Sequence, residues 1–136
     1  MTENPRIVTR AIITDENNRV LLGRRKKGIE AGKLSMFGGK VEKDESTEDG
    51  IRREVLEETG LMVIKTELLK IADSSTIPDE PWEVHTFRCS VTGEIKVKPD
   101  EHSEARYFSI KQIRNATDIA FDHKDLILEL LANSNA

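Results

Sequence analysis

The segment from Ser46 to Gly60 most restricts how this chain can fold. Ser46 is a good helix N-cap, and Asp49 three residues later makes a variant of the capping box. Gly60 suits the left-handed position at which helices commonly end. Ile51 and Val55 lie four residues apart and form an apolar stripe between these two caps. The pattern predicts one amphipathic helix that packs through this stripe.

The same helix carries a crowded acidic face. Glu54, Glu57 and Glu58 stand at positions i, i+3 and i+4, and therefore share an arc of about 100°. Glu58 falls within the apolar stripe in angle, so we expect it to be partly buried. Carboxylates about 5 Å apart repel by roughly 3 kcal/mol at an effective dielectric constant near 20. Arg53 can neutralise one of these charges, and a hard divalent cation would neutralise the others. The alternative is an acidic, solvated helix face.

Runs rich in β-branched residues predict strands on both sides of this helix. The predicted strands cover residues 6–13, 19–25, 36–42, 61–71, 83–91 and 105–109, and a final helix covers residues 124–131 after a cap at Asp122. The polar turn at residues 15–18 predicts a hairpin between the first two strands. Residues 26–33 form a basic loop, and Gly38-Gly39 is expected to break the third strand. This mixture predicts an α+β fold, with a mixed β-sheet between helices in an α/β/α sandwich.

Length and charge restrict the class of protein further. The 136 residues fit one domain, residues 1–136. The net charge is −4 and no basic block occurs, which argues against polymeric nucleic acid as the main partner. Cys89 is the only cysteine, so it forms no internal disulfide, and we expect it to be buried. The first ten residues lack a signal-peptide core, and no run approaches the ~20 apolar residues of a membrane span. We therefore expect a soluble, cytoplasmic protein with no membrane contact.

Residues 39–61 read GKVEKDESTEDGIRREVLEETGL. This segment resembles the Nudix box, G-x5-E-x7-R-E-U-x-E-E-x-G-U with U aliphatic, at every specified position. The upstream stretch RVLLGRRKKGIEAGKLSMFGGKVE is similar to MutT-type members of that family. The chain departs from the family at Phe37, where proline is common, and at Gly50-Ile51, where small helix formers are usual. The matching residues are Gly39, Glu45, Arg53, Glu54, Val55, Glu57, Glu58, Gly60 and Leu61.

The resemblance implies a Nudix fold and a metal-dependent hydrolase. It implies that Mg²⁺ or Mn²⁺ is bound by the carbonyl of Gly38 and the carboxylates of Glu54, Glu57 and Glu58. Arg53 would then orient a carboxylate, and Glu45 would support the charge of the site. Bound cations can neutralise a phosphoanhydride and acidify an attacking water, which fits attack of water on a phosphorus of a nucleoside diphosphate-linked substrate.

Residues outside the box give weaker hypotheses. Arg25 is expected to reach the distal phosphates and Arg24 to face the other side of the sheet, since strand residues alternate. The alternative is a solvated strand end. The family often adds a further glutamate as metal ligand or general base from across the cleft. Glu104 is slightly preferred over Glu101 for this role, and a surface carboxylate is the alternative for either.

Phe121 and Asp122 stand where MutT-type members place residues that contact the base. Phe121 would pack against the ring and Asp122 would accept hydrogen bonds from the base edge. Alternatively, Asp122 only caps the last helix and Phe121 belongs to the core. Trp82, in a proline-containing loop, is a further stacking candidate. His85, His102 and His123 show no ligand spacing and are interpreted as structural or solvated.

The substrate is not specified by the box. We expect a small-molecule nucleotide, and most simply a nucleoside triphosphate pyrophosphohydrolase that converts NTP to NMP and pyrophosphate. ADP-ribose pyrophosphatase activity is the alternative, because Pro78 lies 17 residues beyond the box, close to a proline of that branch. A non-catalytic, nucleotide-sensing Nudix domain is the alternative from another class, although its box would usually be degenerate. Both a monomer and a homodimer are compatible with the sequence.

Overall fold

The structure is a computed structural model that describes residues 6–74 and 82–132. Within these residues, strands and helices follow one another along the chain. The strands are β1 (Arg6–Ile13), β2 (Val20–Arg25), β3 (Leu34–Ser35), β4 (Phe37–Lys40), β5 (Met62–Ser74), β6 (Trp82–Thr92) and β7 (His102–Phe108). The helices are α1 (Thr47–Thr59), which lies between β4 and β5, and α2 (Ile110–Asn115) and α3 (His123–Ala132), which follow β7.

The strands form two sheets. A four-stranded sheet has the order β4-β1-β6-β5, and a three-stranded sheet has the order β3-β2-β7. β1 and β6 run parallel, whereas the other neighbouring strands are antiparallel. The larger sheet is therefore mixed, as predicted.

Helices cover the strands from both sides. Ile51 and Val55 of α1 are fully buried in one apolar cluster together with Ala11 and Ile13 of β1. Ile12, between those two strand residues, belongs to a second cluster that includes side chains of α2 and α3. Alternate residues of β1 thus face opposite helix layers, and full burial of each such side chain contributes about 1.5–3 kcal/mol. This arrangement confirms the predicted α+β fold with helices on both sides of the strands.

The predicted hairpin between the first two strands is wrong, although its turn is present. The carboxylate of Asp15 accepts hydrogen bonds from the backbone N–H of Asn17 and Arg19 at 3.0 and 2.8 Å, which shapes the turn. Beyond one bridge between Thr14 and Val20, the two strands do not pair. Both edges of β1 are occupied by β4 and β6, and both edges of β2 by β3 and β7.

The break expected at Gly38-Gly39 lies elsewhere. Both glycines are inside β4 and pair with Arg10 and Thr9 of β1. The chain instead leaves one sheet and enters the other at Met36, between β3 and β4. Glycine is needed at position 38 because its φ is +151° and a Cβ would lie 2.0 Å from the backbone oxygen of Thr9.

One helix was not predicted. α2 begins after Ser109, whose hydroxyl accepts from the backbone N–H of Gln112 at 3.1 Å, and the Gln112 side chain accepts from the Ser109 N–H at 2.8 Å. This reciprocal capping box was a readable signal in the sequence. Pro78 lies outside the described residues. No helix in the described ranges is both long and apolar enough to cross a membrane.

Candidate functional site

Helix α1 has the two caps that its sequence predicts. The Ser46 hydroxyl accepts a hydrogen bond from the backbone N–H of Asp49 at 3.1 Å. Gly60 ends the helix in the left-handed region, with φ +76°, and donates its N–H to the carbonyl of Leu56. The last turn of the helix holds acidic but no basic residues, although the helix dipole disfavours anions at that end.

Arg53 connects more of these acids than predicted. Its Nε donates to Glu45 at 2.8 Å, and its Nη1 donates to Glu54 at 3.0 Å and to Glu57 at 3.2 Å. A further bond from Nη2 to the Lys40 carbonyl attaches the network to β4. The hydrogen bonds from Arg53 hold the pKa of Glu45 below its usual range. Arg53 was expected to neutralise one carboxylate of the acidic face. That expectation is wrong, because its guanidinium has several donors in a rigid fork and binds both Glu54 and Glu57.

Glu58 is the buried member of the acidic face. Its residue exposure is only 8%, and Oε2 accepts a hydrogen bond from the Gly38 N–H at 3.1 Å. Burial raises the pKa of Glu58 to about 8, and the nearby charges of Glu54 and Glu101 add to this effect. A buried carboxylate that is disfavoured in its charged form is expected at a site built for a cation or for proton transfer.

Glycine at position 39 leaves room for another carboxylate. A Cβ there would lie 2.6 Å from Cδ and from Oε1 of Glu54. Burial raises the pKa of Glu54, whereas its hydrogen bond from Arg53 opposes that shift. The backbone of β4 and the carboxylates of α1 therefore approach one another closely.

Two residues from a distant segment complete the acidic end of the site. One donor atom each from Glu58, Glu101 and His102 lie within 4.8 Å of one another. Glu101 immediately precedes β7 and His102 begins it, more than forty positions along the chain from Glu58. Sequence spacing gave no signal for His102, because only the assembled sheets bring it to the helix.

Glu104 does not join this cluster. Its Oε1 lies 3.8 Å from Nε of Arg24 and 3.7 Å from Nε of Arg106. Arg24 pairs with Glu104 across the β2–β7 ladder, whereas a register shift places Arg25 opposite His102. The geometry therefore does not support the preference for Glu104 over Glu101.

Arg25 and Arg24 have different surroundings, as strand alternation predicts. Arg25 lines a cleft of about 280 Å³ together with Lys27, Glu58, Glu101 and His102. Arg24 instead donates to the Gly32 carbonyl at 2.8 Å and lies 3.4 Å from Asp118. Of the two arginines, the structure brings only Arg25 to the acidic cluster.

Two further depressions lie between this cleft and the start of α3. Arg25 also lines a smaller depression with Gly38, Arg10 and His123. Arg10 and His123 in turn line the next cavity, of about 590 Å³, which includes Val84, Phe121, Asp122 and Leu126. The three depressions therefore adjoin one another between the carboxylates and Phe121-Asp122, and they are together called the groove.

Phe121 is not a core residue, since 49% of it is exposed, and the guanidinium carbon of Arg25 lies 4.9 Å from its ring centre. Asp122 precedes α3 and accepts from Nη1 of Arg10 at 2.8 Å. Trp82 differs from its prediction. It begins β6 instead of lying in a loop, is only 7% exposed, and has Lys40 and Arg6 over its ring.

The donor set suits a hard divalent cation. The carboxylates of Glu54 and Glu101 lie close enough to the buried Glu58 for their charges to disfavour its ionised form and so to raise its pKa. Cations such as Mg²⁺ and Mn²⁺ prefer oxygen ligands of this kind. The residues present therefore fit the metal that the acidic helix predicts.

Comparisons with known proteins agree with this geometry. A family model described as NUDIX domain matches residues 4–130. The oxidized purine nucleoside triphosphate hydrolase of Mus musculus is 37% identical over 107 residues, which cover 75% of this chain and 65% of that protein. The ADP-ribose pyrophosphatase of Methanocaldococcus jannaschii is 31% identical over 128 residues, which cover 90% of this chain and 72% of that protein.

Solved structures give the same result. The crystal structure of a MutT NUDIX hydrolase from Burkholderia pseudomallei has a TM-score of 0.80 and 29% identity, and the match covers 95% of this chain and 99% of that one. The chain spans slightly less than two thirds of the mouse relative, so that relative has a further part with no counterpart in the alignment.

Proposed function

The chain belongs to the Nudix family of hydrolases, and we propose that it is a nucleoside triphosphate pyrophosphohydrolase dependent on Mg²⁺ or Mn²⁺. The proposal takes residues 1–136 as a single Nudix domain. The groove of adjoining depressions between the carboxylate cluster and Phe121-Asp122 carries it, because one end suits a metal-bound phosphate chain and the other suits a nucleobase. The mouse relative, named as a hydrolase of oxidized purine nucleoside triphosphates, supports this choice of substrate.

The carboxylates of α1 would hold the metal. Glu54, Glu57 and Glu58 are the proposed ligands with the Gly38 carbonyl, and Glu101 replaces Glu104 as the further glutamate, since it lies beside Glu58. When bound, divalent cations neutralise substrate phosphates and make an attacking water more acidic. Arg53 is a positioning residue, because its hydrogen bonds hold Glu54 and Glu57 in place from the side.

The remaining groove residues would bind the nucleotide. Arg25 and Lys27 line the acidic end and supply positive charge for the outer phosphates. Phe121 offers an exposed ring for the base, and Asp122 offers carboxylate oxygens for its donor groups. Arg24 takes no part, because it lies with Gly32 and Asp118.

In the proposed reaction, water attacks a phosphorus of the bond between the α- and β-phosphates. A new P–O bond forms to the water oxygen, and the bridging oxygen leaves with its electron pair on the other phosphoryl group. The attacking water gives up one proton to a base, for which Glu101, a carboxylate of the cleft from outside α1, is the candidate. The products are a nucleoside monophosphate and pyrophosphate.

Glu57→Gln tests the metal role, because it removes a charge and keeps the size of the side chain. We expect kcat/KM with Mg²⁺ to fall at least about 100-fold, more than outer-shell partners of a metal usually cost. Glu48→Gln is the matched control, since Glu48 lies in the first turn of the same helix and contacts Thr66. A Glu57→Gln variant as active as the wild type would contradict the proposed mechanism.

ADP-ribose pyrophosphatase activity is the second candidate. The relative of that name aligns with 90% of this chain. A panel of nucleoside triphosphates, oxidised purine triphosphates and ADP-ribose with Mg²⁺ distinguishes the two. Pyrophosphate and a monophosphate from triphosphates support the first candidate, whereas AMP and ribose 5-phosphate from ADP-ribose support the second. Binding of nucleotides without any turnover would instead favour a sensing domain.

A further inference from the structure

We propose that His102 is a nitrogen ligand of a metal ion bound between Glu58 and Glu101, so that the site favours transition metals over Mg²⁺. The inference rests on the proposed metal-dependent function and adds a donor of a different chemical type to it. Neither the Nudix box nor the glutamate chemistry of the cleft requires a histidine at this place.

The position of the ring supports ligation. A ring nitrogen of His102 lies within 4.8 Å of carboxylate oxygens of both Glu58 and Glu101. Donor atoms bound to one first-row metal ion lie roughly 3 to 4.4 Å apart, since each bond is about 2.0–2.2 Å long. Side-chain movements of less than about 1 Å for each donor would therefore bring all three into one coordination sphere.

The ring is buried, and one of its two nitrogens lacks a hydrogen-bond partner. His102 is only 6% exposed, and its buried Nδ1 has no partner among the residues that the structure describes. Each of the other two histidines has a hydrogen-bond partner at one ring nitrogen: His85 Nε2 lies 3.0 Å from Glu83, and His123 Nδ1 accepts from the Met36 N–H at 3.0 Å. An unpaired buried polar group costs about 1–3 kcal/mol, and a role in ligation explains why a histidine stands here.

Packing holds the ring at the cleft. Its centre lies 4.9 Å from that of the buried Phe37 ring, and a Cβ at Gly23 would lie 2.8 Å from His102 Cδ2. The backbone on each side is also attached, because His102 N–H donates to the Lys98 carbonyl and Glu101 O accepts from Lys26 N–H. The donor is thus placed before any ion arrives, as metal sites require.

A mixed nitrogen and oxygen donor set has a consequence for metal choice. Imidazole binds later first-row ions better than it binds Mg²⁺, which prefers oxygen ligands and retains its waters. Removal of the imidazole should therefore weaken Co²⁺ binding more than Mg²⁺ binding. If only carboxylates bound the ion, removal of the imidazole would change the two affinities alike.

The test uses the full, untagged chain with Mn²⁺, Co²⁺ and Mg²⁺ as probes. Pulsed electron paramagnetic resonance of bound Mn²⁺ detects hyperfine coupling to a ligated imidazole nitrogen, and histidine labelled with the heavy nitrogen isotope identifies its source. We expect this coupling in the wild type and in His85→Gln, the matched buried control, but not in His102→Gln. Titrations should show a fall in Co²⁺ affinity of at least about tenfold in His102→Gln, and a smaller fall for Mg²⁺.

The outcomes separate this inference from the proposed function. Wild-type protein that binds Mn²⁺ without nitrogen coupling overturns the inference and leaves the proposed function intact. No Mn²⁺ binding at all overturns both. If His102→Gln does not fold, as circular dichroism would show, the chain's three histidines still permit assignment by exclusion. Coupling lost in His85→Gln or in His123→Gln would then overturn the inference, and coupling retained in both would support it.

Discussion

At Gly39, the absence of a side chain leaves space for the carboxylate of Glu54, whereas at Gly38 it leaves space for the backbone of Thr9. The two neighbouring glycines of β4 therefore serve different purposes. A Cβ at Gly39 would meet the far end of the flexible Glu54 side chain. A Cβ at Gly38 would meet the main-chain oxygen of Thr9, which cannot move independently of β1.

This difference predicts that alanine at position 39 lowers activity, whereas alanine at position 38 lowers stability. Gly39→Ala should fold, displace Glu54, and lower kcat/KM at least about tenfold, in the range of lost metal-site partners. Gly38→Ala should destabilise the protein by about 1–3 kcal/mol or more, because it combines a clash with a strained φ. Urea unfolding and steady-state kinetics measure the two effects. A fully active Gly39→Ala variant would contradict the proposed role of Glu54.

At the scale of the element, α1 carries both its stability and its chemistry in one short segment. Ser46, Gly60 and the buried pair Ile51 and Val55 place the helix, and the carboxylates then follow from its period. Gly50, where the family usually has a small helix former, is buried where the helix meets the preceding loop. A Cβ there would lie 3.2 Å from Glu45 Oε1 and from Val41 Cγ2.

Gly50→Ala should therefore fail to stabilise the helix, although propensity alone favours alanine by about 1 kcal/mol. The Glu45 carboxylate cannot easily move away from the new Cβ, because it accepts hydrogen bonds of 2.8–3.1 Å from Arg53 and from the N–H of Glu42. In a Glu45→Ala background the same change should recover part of the gain. The free energy of unfolding, measured in urea, tests this expectation. If Gly50→Ala alone stabilised the otherwise wild-type chain by the full amount, Glu45 would be free to move.

At the scale of the whole molecule, His123 connects α3 to the segment between the two sheets. Its Nδ1 accepts from the Met36 N–H, and burial lowers the pKa of the imidazole to about 3, with a further decrease caused by the charge of Arg10. The unfolded chain takes up this proton near its ordinary pKa of 6.5. The stability contributed by neutral His123 is thus complete above that pKa and is lost as the pH falls towards about 3.

His123→Asn keeps an acceptor for Met36 but cannot titrate. Between about pH 6.5 and pH 4, the wild type should lose up to about 1.4 kcal/mol of stability per pH unit more than this variant. Urea unfolding of both metal-free proteins across that range measures the difference between their free energies of unfolding. The contributions of the other titrating groups are the same in both proteins and therefore cancel. If the stability of both proteins depended equally on pH, His123 would take up its proton in the folded protein as readily as in the unfolded chain.

The sequence by itself determined the helix α1, its caps and the crowding of Glu54, Glu57 and Glu58, because these depend on a local period and on neighbouring residues. It also predicted where most of the strands lie along the chain, and the layering of helices around them. The partition of β1 and β2 into different sheets was not predictable, since strand pairing depends on which edges other segments fill.

Only the tertiary structure decided which residues face those carboxylates. Strand side chains alternate, so a shift of one residue moves a side chain to the opposite face. The register shift at Arg24/Arg25 places His102 opposite Arg25 and leaves Glu104 with Arg24. Such a shift depends on the pairing of two segments that lie far apart in the chain, and no local pattern in either segment records it.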